Sequence, residues 1–289
     1  MSCNYPVGTY RSDRSPTYRP CGMCIGCRLE YARQWAVRCI HEASMHDENC
    51  FVTLTYNDKN LPKDKSVDKR AMQLFLKRLR KKIEPKKVRF FGCGEYGDQL
   101  GRPHYHLCLF GHKPTDLTLL KSAQYKAWKG IWKKGNTNDL YTAESIENVW
   151  RQGFVTVGEV TFESAGYVAR YVTKKMTGPL EKNHYKGKTP EFALMSRRPG
   201  IGLDWIKRYT TDVYPKDYHH VNGKRCRPNR YYDAILQKIN PKMYEEVKKK
   251  RIKNADECTY ESHLRKFQKE KHTKLVTKRL ERSLENEKN

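Results

Sequence analysis

The run Pro103-His104-Tyr105-His106-Leu107-Cys108-Leu109-Phe110-Gly111 constrains this chain more than any other stretch. Closed by proline and glycine and dominated by apolar and aromatic residues, it reads as a buried β-strand. Alternate side chains of a strand share a face, so His104 and His106 point one way and Tyr105 the other. A sheet can present two imidazoles to one cation in this manner. Two structural histidines in an ordinary strand would look the same, and short motifs match by chance. The neighbouring residues have to decide.

Upstream, Lys87 to Glu95 reads as a second strand and Tyr96 to Arg102 as a glycine-containing turn, which together with the first run make a hairpin. If the turn centres near Gln99 and Leu100, Glu95 stands opposite His104, and opposed residues of a hairpin share a face. A carboxylate then joins the two histidines. An unpaired Glu inside an apolar sheet is costly, and a cation is a natural way to keep its charge; the alternative is a solvent-facing Glu at the strand end. A further strand, Cys50 to Tyr56, puts Thr53 and Thr55 on one face as candidate DNA contacts.

Helical spacing covers Arg28 to His46, with Leu29, Ala32, Trp35, Ala36, Cys39, Ile40 and Ala43 on the apolar side. Within it His41-Glu42 and His46 resemble a zinc-protease motif, but five residues set the two histidines roughly 140° apart around a helix, so they cannot share a metal. Residues 68 to 83 form a second helix with a basic outer face, solvated or tracking phosphates. Residues 117 to 150, where Trp128, Trp132 and Trp150 stand among lysines, are expected to be helical or irregular. Phe154 to Val160 alternates as a strand. Ser164 to Lys175 is helical in pattern and puts Tyr167, Tyr171 and Lys174 on one face.

These pieces suggest phosphoryl transfer. A tyrosine hydroxyl, with a pKa of about 10, is a weak nucleophile at neutral pH and needs help to attack. A cation held by His104, His106 and Glu95 would polarise a scissile phosphate and align it for attack. Lys174 or Lys175 would neutralise the developing charge. The products would be a 5′-phosphotyrosine and a free 3′-OH.

The net charge of +26, from 58 Lys and Arg against 32 Asp and Glu with a pI near 9.7, points to a polyanionic partner, nucleic acid first, bound in a salt-sensitive way. No apolar run reaches the roughly 18 to 20 residues of a membrane helix and the N-terminus has no secretory pattern, so a soluble protein retained where it is made is expected. Ten cysteines without a signal peptide argue for reduced thiols rather than a disulfide scaffold. Cys21-Gly22-Met23-Cys24-Ile25-Gly26-Cys27, completed by Cys3, is a candidate structural zinc site, although only one closely spaced run is present. An iron–sulfur cluster fits less well, because the expected fourth position, 31, is Tyr.

The FVTLTY strand, the Gly-Glu-Tyr-Gly then Arg-Pro-His-Tyr-His run and the Tyr-x-x-x-Tyr-x-x-Lys-Lys helix resemble the HUH endonuclease superfamily. With PCGMCIGCR, RQWAVRCIHEA, FLKRLRK, PEFALMSRRPGIG and RYYDAIL, the chain over about residues 1 to 240 resembles the replication initiation proteins of single-stranded DNA phages, the gokushovirus group of the Microviridae. The resemblance implies an α+β fold with a central antiparallel sheet flanked by helices, Mg²⁺ or Mn²⁺ as cofactor, and origin nicking that starts rolling-circle replication. It matches His104 and His106 to the metal pair and Tyr167 and Tyr171 to the two tyrosines, one to cut and hold the 5′ end, the other to cut the regenerated origin. Glu95 as third ligand rests on the hairpin argument, supported by a similarly placed acid in related initiators. Implied partners are single-stranded and origin double-stranded DNA and the host helicase and polymerase, in the cytoplasm of a bacterial host and away from membranes.

Three segments are expected: 1–49, the cysteine-containing segment and a helix packing on the core; 50–240, the endonuclease domain; and 241–289, a basic tail, helical or partly disordered. Within the second, Arg197 and Arg198 sit in a rigid basic turn suited to phosphate. Two competing readings are a non-catalytic, zinc-containing nucleic-acid-binding protein and a non-haem iron oxygenase using two histidines and a carboxylate. The first leaves the tyrosine helix without a purpose; the second predicts a small-molecule pocket that such a charge does not favour.

Overall fold

The computed structural model describes residues 3–10, 14, 16–97, 101–121, 124–126, 132–134, 139–170, 175, 181–256 and 263–285. A hairpin of β1 (Val7–Tyr10) and β2 (Pro16–Arg19) leads into helix α1 (Ile25–Ala43). Strand β3 (Asn49–Tyr56), helix α2 (Lys69–Lys82) and the hairpin of β4 (Arg89–Tyr96) with β5 (Pro103–Phe110) follow. Next come β6 (Leu117–Lys121), a ribbon of β7 (Gln124–Lys126) and β8 (Trp132–Lys134), β9 (Leu140–Ala143), and helix α3 (Glu144–Trp150). Strand β10 (Gly153–Gly158), α4 (Phe162–Ala169), α5 (Glu181–Tyr185), β11 (Phe192–Met195) and α6 (Leu203–Arg208) complete the central part. The remainder is α7 (Thr210–Val213), the hairpin of β12 (His219–Val221) and β13 (Lys224–Cys226), then α8 (Arg230–Ile239), α9 (Pro241–Asp256) and α10 (His263–Glu285). Two compact units result, one of Trp35–Tyr209 and one of Met1–Gln34 with Thr210–Asn289.

The larger unit is α+β. Its seven-stranded antiparallel sheet runs β11-β4-β5-β3-β10-β9-β6, with helices on both faces, consistent with an HUH-like architecture. Period-two alternation assigns the faces. Val52, Leu54, Tyr56, Tyr105, Leu107, Leu109, Val155 and Val157 turn to one side, where Met72, Phe75, Leu76 and Leu79 of α2 and Ile146, Val149 and Trp150 of α3 close a dry core. Each large apolar side chain buried there contributes about 1.5–3 kcal/mol. Gly94 belongs to this face because a Cβ would lie 2.8 Å from the Phe192 ring. Tyr105, the residue between the two histidines, bonds Tyr56 Oη at 2.9 Å and accepts from the Asp68 amide at 2.9 Å, tying the strand to the capped start of α2.

The opposite face carries α1 and α4, with Trp35 stacked on Phe91 at 4.7 Å and Ala165, Val168 and Ala169 buried. The basic outer face of α2 therefore lies on the far side of the sheet from the histidines. Residues 117–150 depart from the expected helix or irregular chain by adding β6 and β9 to the sheet edge. The strands are short, β6 is irregular between Leu119 and Lys121, and Leu119 and Leu120 are both exposed, which erases the alternation a strand is read from.

In the smaller unit, Arg251 bridges Asp217 and Asp233, and Tyr214 donates to Asp233 at 2.8 Å. Helices α9 and α10 are mostly exposed, Val247 and Thr277 being among their few buried side chains. Among the described residues no helix is long and apolar enough to cross a membrane.

Candidate functional site

The β4–β5 hairpin has the register its turn predicts: Glu95 pairs with His104, and Cys93 with His106. Strand β3 adds Thr55 opposite His104 and Thr53 opposite His106. All of these project to the face away from the apolar core. Glu95 Oε1 lies 3.2 Å from His104 Nε2 and 3.2 Å from His106 Nε2. One ligand atom from each residue falls within 4.8 Å of the others, and Glu95 is 1% exposed.

The protonation pattern follows from the partners. His104 Nδ1 lies 3.1 Å from the Arg102 carbonyl, which can only accept, so Nδ1 carries the hydrogen. His104 Nε2 then meets the carboxylate either as a second N–H or as a lone pair sharing a cation with it. Either way a positive charge belongs between the two groups. His106 Nδ1 is held at 2.9 Å by the Thr53 hydroxyl, and its ring stacks on Phe51 at 5.7 Å. Burial pushes the Glu95 carboxyl up, but hydrogen bonds and charge from His104 and His106 outweigh this and hold it well below the usual carboxylate range. A buried, ionised carboxylate with two oriented imidazoles is a donor set suited to a divalent cation, each histidine carrying the outer partner that metal-binding histidines require.

Helix α4 delivers the nucleophile candidate. Its start is fixed by a capping box, in which Thr161 Oγ1 accepts from the Ser164 amide at 3.1 Å and Ser164 Oγ from the Thr161 amide at 2.8 Å. Less than two turns on, the Tyr167 hydroxyl donates to Glu95 Oε1 at 2.8 Å, and its ring meets that of His106 edge-on at 4.8 Å. Arg170, at the end of the helix, holds its guanidinium 5.6 Å from the Tyr167 ring centre.

Glu95, His104, His106 and Tyr167 thus converge. Tyr171 and Lys174 lie outside the described residues, and Lys175 is half-buried beyond α4. Arg197 and Arg198 are exposed on the turn after β11. Cys3, Cys21, Cys24 and Cys27 form a second convergent group within the smaller unit. The helix motif His41-Glu42-His46 is structural, as its angular spacing requires: buried Glu42 binds His46, Arg89 and the Gly202 amide, and His41 stacks on Trp205.

Sequence reasoning did not find Thr53 as the support of His106, the Arg102 carbonyl as the orienter of His104, or Arg170 beside Tyr167. The alternation of β3 displays Thr53 on the correct face, but only the β3–β5 pairing shows which histidine it meets.

Residues 49–176, the stretch carrying the triad and Tyr167, match the family model of the replication-associated protein ORF2 type. The chain is 33% identical over 237 residues to the replication-associated protein VP4 of Bdellovibrio phage phiMH2K, covering 78% of this chain and 70% of that protein. It is 33% identical over 236 residues to the replication-associated protein ORF2 of Spiroplasma virus 4, covering 76% and 68%. With the replication-associated protein ORF4 of Chlamydia phage 1 it shares 31% over 223 residues, covering 76% of this chain and 54% of that one. No solved structure matches it. A relative this similar over this much of both chains establishes descent, and the chain belongs to the family of phage replication-associated proteins.

Proposed function

We propose that this protein initiates phage DNA replication by nicking and rejoining a single strand at the origin, with Tyr167 as attacking nucleophile. The observation that carries the reading is the Tyr167 hydroxyl, donated at 2.8 Å to the same Glu95 oxygen that lies 3.2 Å from both histidines. A tyrosine at a metal-ligating triad is what phosphoryl transfer to protein requires and what a purely binding protein has no use for.

His104, His106 and Glu95 would hold a divalent cation, Mg²⁺ or Mn²⁺, which when bound supplies charge that polarises the scissile phosphate. The chain's own groups do the rest. Tyr167 Oη bonds to phosphorus as the bond from phosphorus to the 3′ oxygen breaks; the phenol gives up its proton, and the leaving oxygen gains one to become the 3′-OH. Glu95 accepts the hydrogen bond from Tyr167 and so fixes the approach of the oxygen. Arg170 offsets charge accumulating beside the ring, and Lys175 and Lys174 are the nearest lysines in sequence to neutralise the leaving group. Tyr171 would supply the second attack that ends a round. The charge of +26 accounts for affinity to the strand, and Phe154, 64% exposed and opposite Thr55 on the site face, offers a ring on which a base can stack.

Incubating the protein with Mn²⁺ and single-stranded oligonucleotides that tile the genome encoding it tests the reading. A covalent adduct with one oligonucleotide, releasing a fragment with a 3′-OH, is expected. Tight binding without an adduct at any metal or sequence would leave the binding-only alternative standing.

A further inference from the structure

Four cysteines that take no part in the proposed reaction meet at the base of the N-terminal hairpin. The pairing of Val7 with Arg19 folds the chain back so that Cys3, four residues before β1, returns to Cys21, two residues after β2. Cys24 and Cys27 flank the start of α1. The four Sγ atoms all lie within 4.8 Å of one another, with Cys3 to Cys24 at 3.9 Å and Cys21 to Cys27 at 4.0 Å. A disulfide would bring two sulfurs to about 2.05 Å. Four sulfurs about 2.3 Å from one zinc would stand about 3.8 Å apart along the edges of a tetrahedron. The measured spacings are those of the tetrahedron.

The backbone agrees. The amide of Asn4 donates to Cys24 Sγ at 3.3 Å, that of Cys21 to Cys3 Sγ at 3.2 Å, and that of Cys24 to Cys21 Sγ at 3.4 Å. Amides aimed at sulfur stabilise thiolate, the form that binds metal, and soft sulfur donors in a closed tetrahedral set select zinc over the hard cation suited to the histidine–carboxylate triad.

We propose that Cys3, Cys21, Cys24 and Cys27 bind one Zn²⁺ as a closed tetrathiolate site that fastens the β1–β2 hairpin to the first turn of α1. Each thiol releases its proton to solvent on binding, and the oxidation states of sulfur and zinc do not change. The resulting complex carries a net double negative charge, which the three amides offset. With four protein ligands it has no open position, so its role is structural.

The test is metal analysis of the full chain purified without chelator, paired with the His104→Ala, His106→Ala double variant to empty the triad. One zinc per chain is expected in both proteins. Replacing it by Co²⁺ should give the sulfur-to-cobalt charge-transfer absorption and d–d envelope of a tetrahedral tetrathiolate. Both the zinc and the absorption should vanish in Cys21→Ser, Cys24→Ser; should that variant fail to fold, the wild-type cobalt spectrum decides alone. The proposal is overturned by an intact mass reporting disulfides among the four, by iron in place of zinc, or by zinc that disappears with the histidines.

Discussion

Two clusters of metal-ligating side chains in this chain are built on opposite principles. The Glu95, His104 and His106 group stands on adjacent central strands, so backbone hydrogen bonds and the apolar layer of Leu54, Tyr105 and Leu107 beneath set its spacing whether or not a cation is bound. The cysteine group stands on a chain end, a loop and one helical turn, beside a hairpin whose side chains are largely exposed. A preformed site on a rigid sheet suits catalysis, which needs fixed distances with room left for substrate. A site whose segments have little apolar burial of their own suits a structural ion, whose binding energy becomes folding energy. Chelation should therefore separate them: stripping divalent cations stops chemistry at the triad with the sheet intact, whereas stripping zinc loosens the N-terminal hairpin.

The largest expected effect that sharpens this contrast comes from His104→Ala with His106→Ala. Cleavage should fall below detection, while salt-sensitive binding to single-stranded DNA and the circular dichroism of the sheet stay close to wild type. Parallel loss of binding would mean that the histidines shape the fold rather than the chemistry. The apolar face gives the converse. Leu107→Ala, one residue from His106 but fully buried in the core, should cost about 2–5 kcal/mol in denaturant unfolding and reduce activity only through the folded fraction.

Thr53→Val probes the support of a ligand. Losing the hydroxyl 2.9 Å from His106 Nδ1 should weaken Mn²⁺ affinity or cleavage by about 10–100-fold, read from metal titration of the nicking rate, with little change in unfolding. The smallest effect is acid sensitivity. Burial, helped by the charge of Arg33, pushes the His219 imidazole of the smaller unit down to about 4, from about 6.5 when unfolded. The unfolded chain takes up the proton first, so the stability this group confers is complete above about pH 6.5 and is lost as pH falls toward 4. Glu42 in the larger unit behaves differently: burial pushes it up, but His46, the Gly202 amide and Arg89 hold it below the usual range, so its contribution is lost only in more acid solution. Unfolding midpoints between pH 4 and 7 should decline less in a His219→Gln variant than in the wild type.

How much of this could be read in advance depended on distance along the chain. A hairpin fixes its own register, so Glu95 opposite His104 followed from alternation and a turn of known length. Thr53 and His106 are fifty-three residues apart, and nothing in either strand's pattern names its partner, so the support of His106 stayed hidden. Tyr167 was legible as a residue on a helical face; that its hydroxyl reaches Glu95 depends on how α4 packs, which periodicity does not encode. The β6 and β9 edge was not legible, because exposed leucines and few residues per strand leave no period to count. For the cysteines, spacing suggested Cys21, Cys24 and Cys27 as a group, and the return of Cys3 needed the hairpin.

The central claim is that the tyrosine at the triad becomes covalently attached to DNA. Trapping the Mn²⁺-dependent adduct, digesting it and sequencing the nucleotide-bearing peptide by mass spectrometry tests it most directly. The account predicts phosphotyrosine linkage at Tyr167 or Tyr171, absent when both are changed to Phe; an adduct formed in full by that double variant would contradict it.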